Sequence, residues 1–349
     1  MRTELFDYAL PKELIAAHPP PLRDGGRLLV LDPSSPAVDH GEVRELPSRL
    51  PPASLLVAND TRVIPARLRG RRPTGGAVEL LLVRQVEADA TACAWLALAR
   101  ANKPLRPGAA IDLGGFSVRV RERGARGEAV IEIPMGAAEF LRYVAANGEV
   151  PLPPYIRRAP VDADRERYQT VFARDDGSVA APTAGLHFTE ELIARLAEGG
   201  HELRFITLHV GPGTFRPIEA DDLGAHVMDA ERYRIPAATA AAIRDAKAAG
   251  RPVVAVGTTA VRALEGAAAA GGALDGAEGQ TDLFIAPPFE FRVVDGLVTN
   301  FHLPRSTLLC LVAALAGRER VLAAYAEAVA RRYRFYSYGD AMLILPRAR

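Results

Sequence analysis

Four short stretches of this 349-residue chain carry polar residues where catalysts and ligand binders are commonly found. Thr183 and His187 stand in APTAGLHFT. His209 closes FITLH and is followed by Gly211, Pro212, Gly213 and Thr214. Gly257, Thr258 and Thr259 separate VVAV from a helical run. Asn300 and His302 follow LVT. Histidine titrates near neutral pH, so three of them suggest proton transfer. Glycine turns let backbone approach a ligand, and a helix N-terminus offers N–H groups to an anion. Two carboxylates join the group. Asp60 ends SLLVAND near Arg62, and Glu231 lies in HVMDAERYRI between His226 and Tyr233. Either acid could be a general base or a ligand anchor. Plainer roles exist for all of them: hydroxyls cap helices, Asp forms turns, and a lone strand-end histidine is commonly structural. The candidate catalytic residues are His187, His209, His302, Asp60 and Glu231. The candidate substrate contacts are Thr183, Gly211, Gly213, Thr258, Thr259, Arg262 and Asn300.

Other chemistries find less support. The three histidines come from separate strand ends, with no carboxylate at helical spacing to complete a ligand pair. Cys93 and Cys310 are far apart, so no metal site is expected. There is no G-x-S-x-G elbow for a hydrolase nucleophile. Arginines, by contrast, are clustered. RVIPARLRGRR holds Arg62, Arg67, Arg69 and Arg71 without an acid. YIRRAP holds Arg157 and Arg158, and RRYRFYSYGD interleaves arginine with aromatic residues, Tyr336 among them. Guanidinium forks bind phosphate, and aromatic rings stack on unpaired bases, so these seven residues are the candidate RNA contacts.

The surrounding pattern predicts an α/β, multi-domain protein. LLVLD and SLLVAND read as buried strands. From 62 to 149, short strands separated by Gly, Pro and Asn predict an inserted small antiparallel β-barrel, because closure removes sheet edges. After 150, strands alternate with helices, which predicts a mainly parallel sheet covered by helices. The expected division is therefore 1–61 with 150–349 as an α/β catalytic domain and 62–149 as the barrel. In such a sheet, ligands bind at the carboxyl ends of strands, where the four polar stretches fall.

Composition is ordinary for a globular chain: 49% hydrophobic, 24% charged and a formal net charge of +1. That excludes a disordered chain and a wholly basic RNA coat, but not a local basic face. MRTELFDYAL has no signal-peptide character, and LLCLVAALAG is too short to span a bilayer, so a cytoplasmic protein is expected.

The long segments FDYALPKELIAAHP, LLVANDTRVIPARLRG, GEVPLPPYIRR, APTAGLHFTEELI, ITLHVGPGTFRPI, VVAVGTTAVRALE, LVTNFHLPRSTL and YRFYSYGDAML occur in this order. Together they make the chain resemble the S-adenosylmethionine:tRNA ribosyltransferase-isomerase family of queuosine biosynthesis, over essentially its whole length. The resemblance implies transfer and isomerisation of the ribosyl part of S-adenosylmethionine. The acceptor would be 7-aminomethyl-7-deazaguanine at the wobble position of tRNA with a GUN anticodon. Epoxyqueuosine would form, and adenine and methionine would leave. S-adenosylmethionine would be a consumed substrate, with no further cofactor, and the chain is expected to act as a monomer away from membranes. One position departs: the family usually reads H-x-M-H-x-E, and here Asp229 replaces the second histidine between His226 and Glu231. The implied chemistry needs a base for the C5′ proton next to the sulfonium, for which His187 or His302 is expected, and an acid for departing adenine. Two other classes fit less well. A Rossmann-type methyltransferase needs a glycine-rich loop and a following acid that are missing. A tRNA-binding module without catalysis leaves the polar strand ends unexplained.

Overall fold

The computed structural model describes residues 1–271, 274 and 276–347. Its strands are β1 Arg27–Leu31, β2 Val38–Glu42, β3 Leu55–Asn59, β4 Thr61–Val63, β5 Arg67–Arg71, β6 Ala77–Ala88, β7 Cys93–Ala101, β8 Ala110–Asp112, β9 Ser117–Arg123, β10 Glu128–Ile133, β11 Asp175–Ser178, β12 Glu202–Leu208, β13 Glu231–Arg234, β14 Val253–Val256, β15 Glu278–Thr281, β16 Gly296–Asn300 and β17 Ala341–Ile344. The helices are α1 Leu46–Arg49, α2 Ala137–Asn147, α3 Asp162–Arg167, α4 Glu190–Glu198, α5 Ala237–Ala248, α6 Thr258–Ala269, α7 Thr307–Ala316 and α8 Arg318–Ala330.

Nine strands form one sheet in the order β15-β13-β12-β3-β14-β16-β17-β1-β2. Its centre, β12-β3-β14-β16, is parallel throughout. β17 runs antiparallel to β16, and β13 antiparallel to β12. The central strands read LLVAN, VVAV and GLVTN and are buried on both faces, as a helix-covered parallel sheet demands. Alternation splits them between two cores: Leu55 and Val57 pack with α5 to α8 on one face, and Leu56 and Ala58 with α4 on the other.

After β3 the chain leaves the sheet; β4 and β11 pair in a separate two-stranded sheet that brackets the insertion. β5 to β10 close into a six-stranded barrel, as the short alternating strands predict. Leu68, Leu80, Ile111, Val118 and Ile131 fill it, and α2 packs Phe140 and Val144 against it. The barrel is tied back to the chain that follows it: Arg67 and Glu149 exchange both backbone hydrogen bonds.

Candidate active site

The parallel centre brings four polar strand ends to one edge, because β3, β12, β14 and β16 share a direction. Asn59 ends β3 and Asp60 follows it, His209 follows β12, Gly257 to Thr259 follow β14, and Asn300 ends β16. The residues do not share one cleft. They fall into three compartments.

The first is a cavity of about 120 Å³ lined by Gly213, Thr214, His226, Asp229, Glu231 and Arg262, with Arg126 and Arg216 also in its wall. Glu231 begins β13 and is buried. Its Oε2 pairs with Arg262, on α6, while its Oε1 accepts the Gly211 N–H at 2.8 Å and lies 3.4 Å from the Thr214 hydroxyl. Burial pushes the Glu231 carboxyl above its ordinary range, against the pull of Arg262. The GPG turn passes close to Asp229: a Cβ on Gly213 would fall 2.2 Å from its Oδ2, so the half-exposed Asp229 side chain would have to move aside. Arg262 lies one helical turn beyond Thr258 on the same face of α6, roughly 6 Å along the axis. Among the described residues no side chain caps the start of that helix, and Gly257 reaches it at φ +91°. Thr258 and Thr259 are thus buried first-turn residues and not caps, and the plain capping role does not apply to them.

The second compartment is an open groove of about 700 Å³ lined by Asp175, Thr207, His209, Arg232 and Arg234. The Thr61 hydroxyl sits 2.9 Å from the His209 Nδ1, and Gly177, at φ +147°, lies against the ring: a Cβ there would stand 2.9 Å from it. Thr207 donates its hydroxyl to Asp60 at 2.8 Å, with Asp175 at 2.9 Å as a competing acceptor. Burial raises the Asp60 carboxyl and lowers His209. Successive residues of a strand face opposite sides, so Arg232, in this groove, and Glu231, in the cavity, lie on opposite faces of β13.

The third compartment is closed. His187 is buried, and burial pushes it down to about 4. Asn300 donates Nδ2 both to the Tyr336 carbonyl, at 3.0 Å, and toward the His187 Nε2, at 3.2 Å. A carbonyl can only accept, which fixes the amide's orientation and occupies the Nε2 lone pair. The Nε2 of His187, one of the two residues expected as the C5′ base, is thus engaged by Asn300 in this state. His302, the other residue expected as the base, is enclosed as well. It is buried and held at about 3 by burial, and its Nε2 sits 2.8 Å from the Thr299 hydroxyl. Thr183 opens the turn Thr183–His187, whose Ala184 packs against Gly257.

A model of the family described as "Queuosine biosynthesis protein" matches residues 3–344. The chain belongs to that family. It is 54% identical over 344 residues to an S-adenosylmethionine:tRNA ribosyltransferase-isomerase of Anaeromyxobacter sp. (strain Fw109-5), covering 99% of both chains. It is 52% identical over 348 residues to one of Acidithiobacillus ferrooxidans, covering 100% of this chain and 99% of that one. The crystal structure of an S-adenosylmethionine tRNA ribosyltransferase from Thermotoga maritima aligns with a TM-score of 0.56 at 39% identity, over 98% of this chain and all of that one.

For a member of the queuosine biosynthesis family, the arginines need sorting. Arg67, Arg69 and Arg71 alternate along β5 and share its outer face, with Leu68 inside. Arg69 is clamped by Glu149 at 2.7 and 3.0 Å, while Arg71 and Arg157 are exposed. Arg62 is half-exposed and donates to the Ala173 carbonyl. Arg158 is not an RNA contact: its guanidinium is committed to the buried Asp164, at 2.6 and 2.8 Å. Tyr336 is not a stacking platform either. It is 5% exposed, and its ring already stacks on Tyr155 at 4.4 Å. Sequence reasoning alone passes over Asn59 and notes His226 only within the family's H-x-M-H-x-E pattern. Asn59, an amide in an apolar strand, ties β3 to Leu208 of β12 and to Thr259 of α6. His226 lines the Glu231 cavity. Among the described residues no cluster could hold a metal, and no helix is long and apolar enough to cross a membrane.

Proposed function

We infer that this protein is an S-adenosylmethionine:tRNA ribosyltransferase-isomerase, an enzyme of queuosine biosynthesis. The observation that carries the site assignment is the Glu231 cavity, one helical turn from the uncapped start of α6. S-adenosylmethionine carries a carboxylate at one end and a sulfonium near its middle. The α6 N–H groups, with Thr258 and Thr259, suit the carboxylate, and the anionic Glu231 suits the sulfonium. The sulfonium acidifies the C5′ proton, and Glu231, its pKa raised by burial, is the base assigned to it. Arg262 and the Gly211 N–H hold that carboxylate in place. His209 faces the groove on the other side of β13, with Asp60 buried behind it and joined to the groove wall through the Thr207 hydroxyl, and the two supply the second titratable pair, suited to a departing adenine.

The acceptor in this reading is 7-aminomethyl-7-deazaguanine in a GUN anticodon, held by Arg62, Arg67, Arg69, Arg71 and Arg157. S-adenosylmethionine is consumed, and no further cofactor is required. The protein acts as a cytoplasmic monomer, with 1–61 and 150–349 as the catalytic domain and 62–149 as an RNA-binding insertion. The test is mass spectrometry of nucleosides after incubation with S-adenosylmethionine and tRNA bearing the aminomethyl base. Epoxyqueuosine with free adenine and methionine is the expected product set. Bound tRNA with intact S-adenosylmethionine would refute enzymatic turnover.

A further inference from the structure

The Glu231 cavity has a second titratable wall. His226 lies there half-buried, its ring edge-on to Phe284 at 5.2 Å between centroids. It combines an open cavity face with proximity to Glu231, as the other candidate histidines do not: His187 is buried beside a separate cavity of only about 10 Å³, His302 is buried, and His209 faces the groove. The charged groups facing it come from every neighbouring element. Asp229 belongs to its own segment, Glu219 and Arg216 to the loop after the GPG turn, Arg126 to the barrel turn between β9 and β10, and Glu231 and Arg262 to β13 and α6. Burial, with Arg126, lowers the imidazole against the pull of Asp229 and Glu219, so His226 is neutral near pH 7 and able to accept a proton. A cavity of about 120 Å³ is close to the size that holds one aromatic ring.

We propose that His226 takes the proton that an alkylammonium group on the RNA base must lose before it can attack, with Asp229 drawing that cation to the mouth of the cavity. This rests on the functional reading above. In the step, one N–H bond of the ammonium breaks and its electron pair stays on nitrogen. The proton goes to the imidazole, and the imidazolium discharges to water through its exposed edge. No oxidant or metal is needed. Asp229 is half-exposed and 3.5 Å from Arg216, a pairing loose enough for a cation to compete. Val227, 81% exposed beside it, gives the approaching base an apolar face.

The experiment compares wild type, His226→Gln, Asp229→Asn and Glu231→Gln; the first two variants are checked for an unchanged melt, Glu231→Gln, which leaves Arg262 unpaired, is assayed only at temperatures where its melt shows it folded, and S-adenosylmethionine binding is measured for each by calorimetry. Turnover of aminomethyl-bearing tRNA is then followed against pH. His226→Gln is expected to lower kcat by about 100-fold and to remove the acid limb of the profile, with added imidazole restoring part of the rate. Asp229→Asn is expected to raise KM for tRNA severalfold and leave KM for S-adenosylmethionine unchanged. His226→Gln within threefold of wild type, or with its acid limb intact, would overturn the proposal. Inactive Glu231→Gln beside a silent His226→Gln would leave the functional reading standing and remove only this inference. A wild-type protein that makes no modified nucleoside would remove both.

Discussion

Glu231 and Arg262 show how much rests on one pair of side chains. Both are buried, and each is the main charge partner of the other. Removing one leaves an uncompensated buried charge, so Arg262→Ala is expected to destabilise the fold by about 3–5 kcal/mol. Urea unfolding would show this as a lowered midpoint with an unchanged slope. Tyr336 behaves in the opposite way. Its hydroxyl is buried without a partner among the described residues. Tyr336→Phe therefore removes a cost and no bond, and stability is expected to stay level or rise. Unchanged tRNA affinity in Tyr336→Leu, which removes the ring that Phe would keep, would show that the ring is not a base platform. A clear loss of affinity would return Tyr336 to the RNA surface.

At the scale of elements, geometry decides which charges are free to act. Arg71 and Arg157 are exposed, with no ion pair among the described residues. Replacing both with Ala should therefore flatten the salt dependence of tRNA binding, by about one in slope for each phosphate no longer neutralised. Arg158→Ala should instead cost stability, because Asp164 loses its bidentate partner. Equal slope changes for all three would contradict this division. Strand β11 makes a similar point. Its Gly177 sits at φ +147° against the His209 ring, so Gly177→Ala combines strain with a clash and should lower stability by about 1–3 kcal/mol in a thermal melt. The same geometry separates what is legible in the sequence from what is not. Apolar runs such as LLVAN and VVAV read as buried strands, and alternation in SVRVRER as a barrel wall. Period and composition report burial directly. The gathering of Asn59, His209, Gly257 and Asn300 at one edge also follows from a parallel sheet. The split into three compartments does not, since it depends on which face of β13 each residue takes. Nor does the pairing of Glu231 with Arg262, 31 residues apart and joined only by packing. Arg158 reads like Arg157 in the sequence, and only the fold distinguishes a committed guanidinium from a free one.

For the whole molecule, the sealed histidines set a limit on acid stability. His187 and His302 are buried neutral, with values of about 4 and about 3 against 6.5 for an exposed imidazole. The unfolded chain therefore binds more protons than the folded one as pH falls below 6.5. Stability is fully present above that value and is lost as pH falls toward the folded pKa. Linkage for His187 alone amounts to about 3 kcal/mol by pH 4, a sizeable part of the stability of a typical domain. The carboxylates paired in the native state, Asp164 among them, act in the same direction but only at lower pH, since their folded values are depressed below 3.8. The two families of groups should separate in the pH range where they matter. Unfolding free energy should fall between pH 6.5 and 4.5, before the depressed carboxylates contribute, with the raised Glu231 and Asp60 acting in the opposite direction. His187→Gln, which keeps a hydrogen-bonding group beside Asn300 but cannot charge, should flatten that part of the curve while lowering stability at pH 8 by a smaller amount. If the variant and the wild type lose stability in parallel from pH 6.5 to 4.5, the acid sensitivity originates elsewhere, and His187 is already hydrated or charged in the folded protein. A flattened curve together with retained turnover would also show that this imidazole holds the β16 end in place and carries no proton in the reaction.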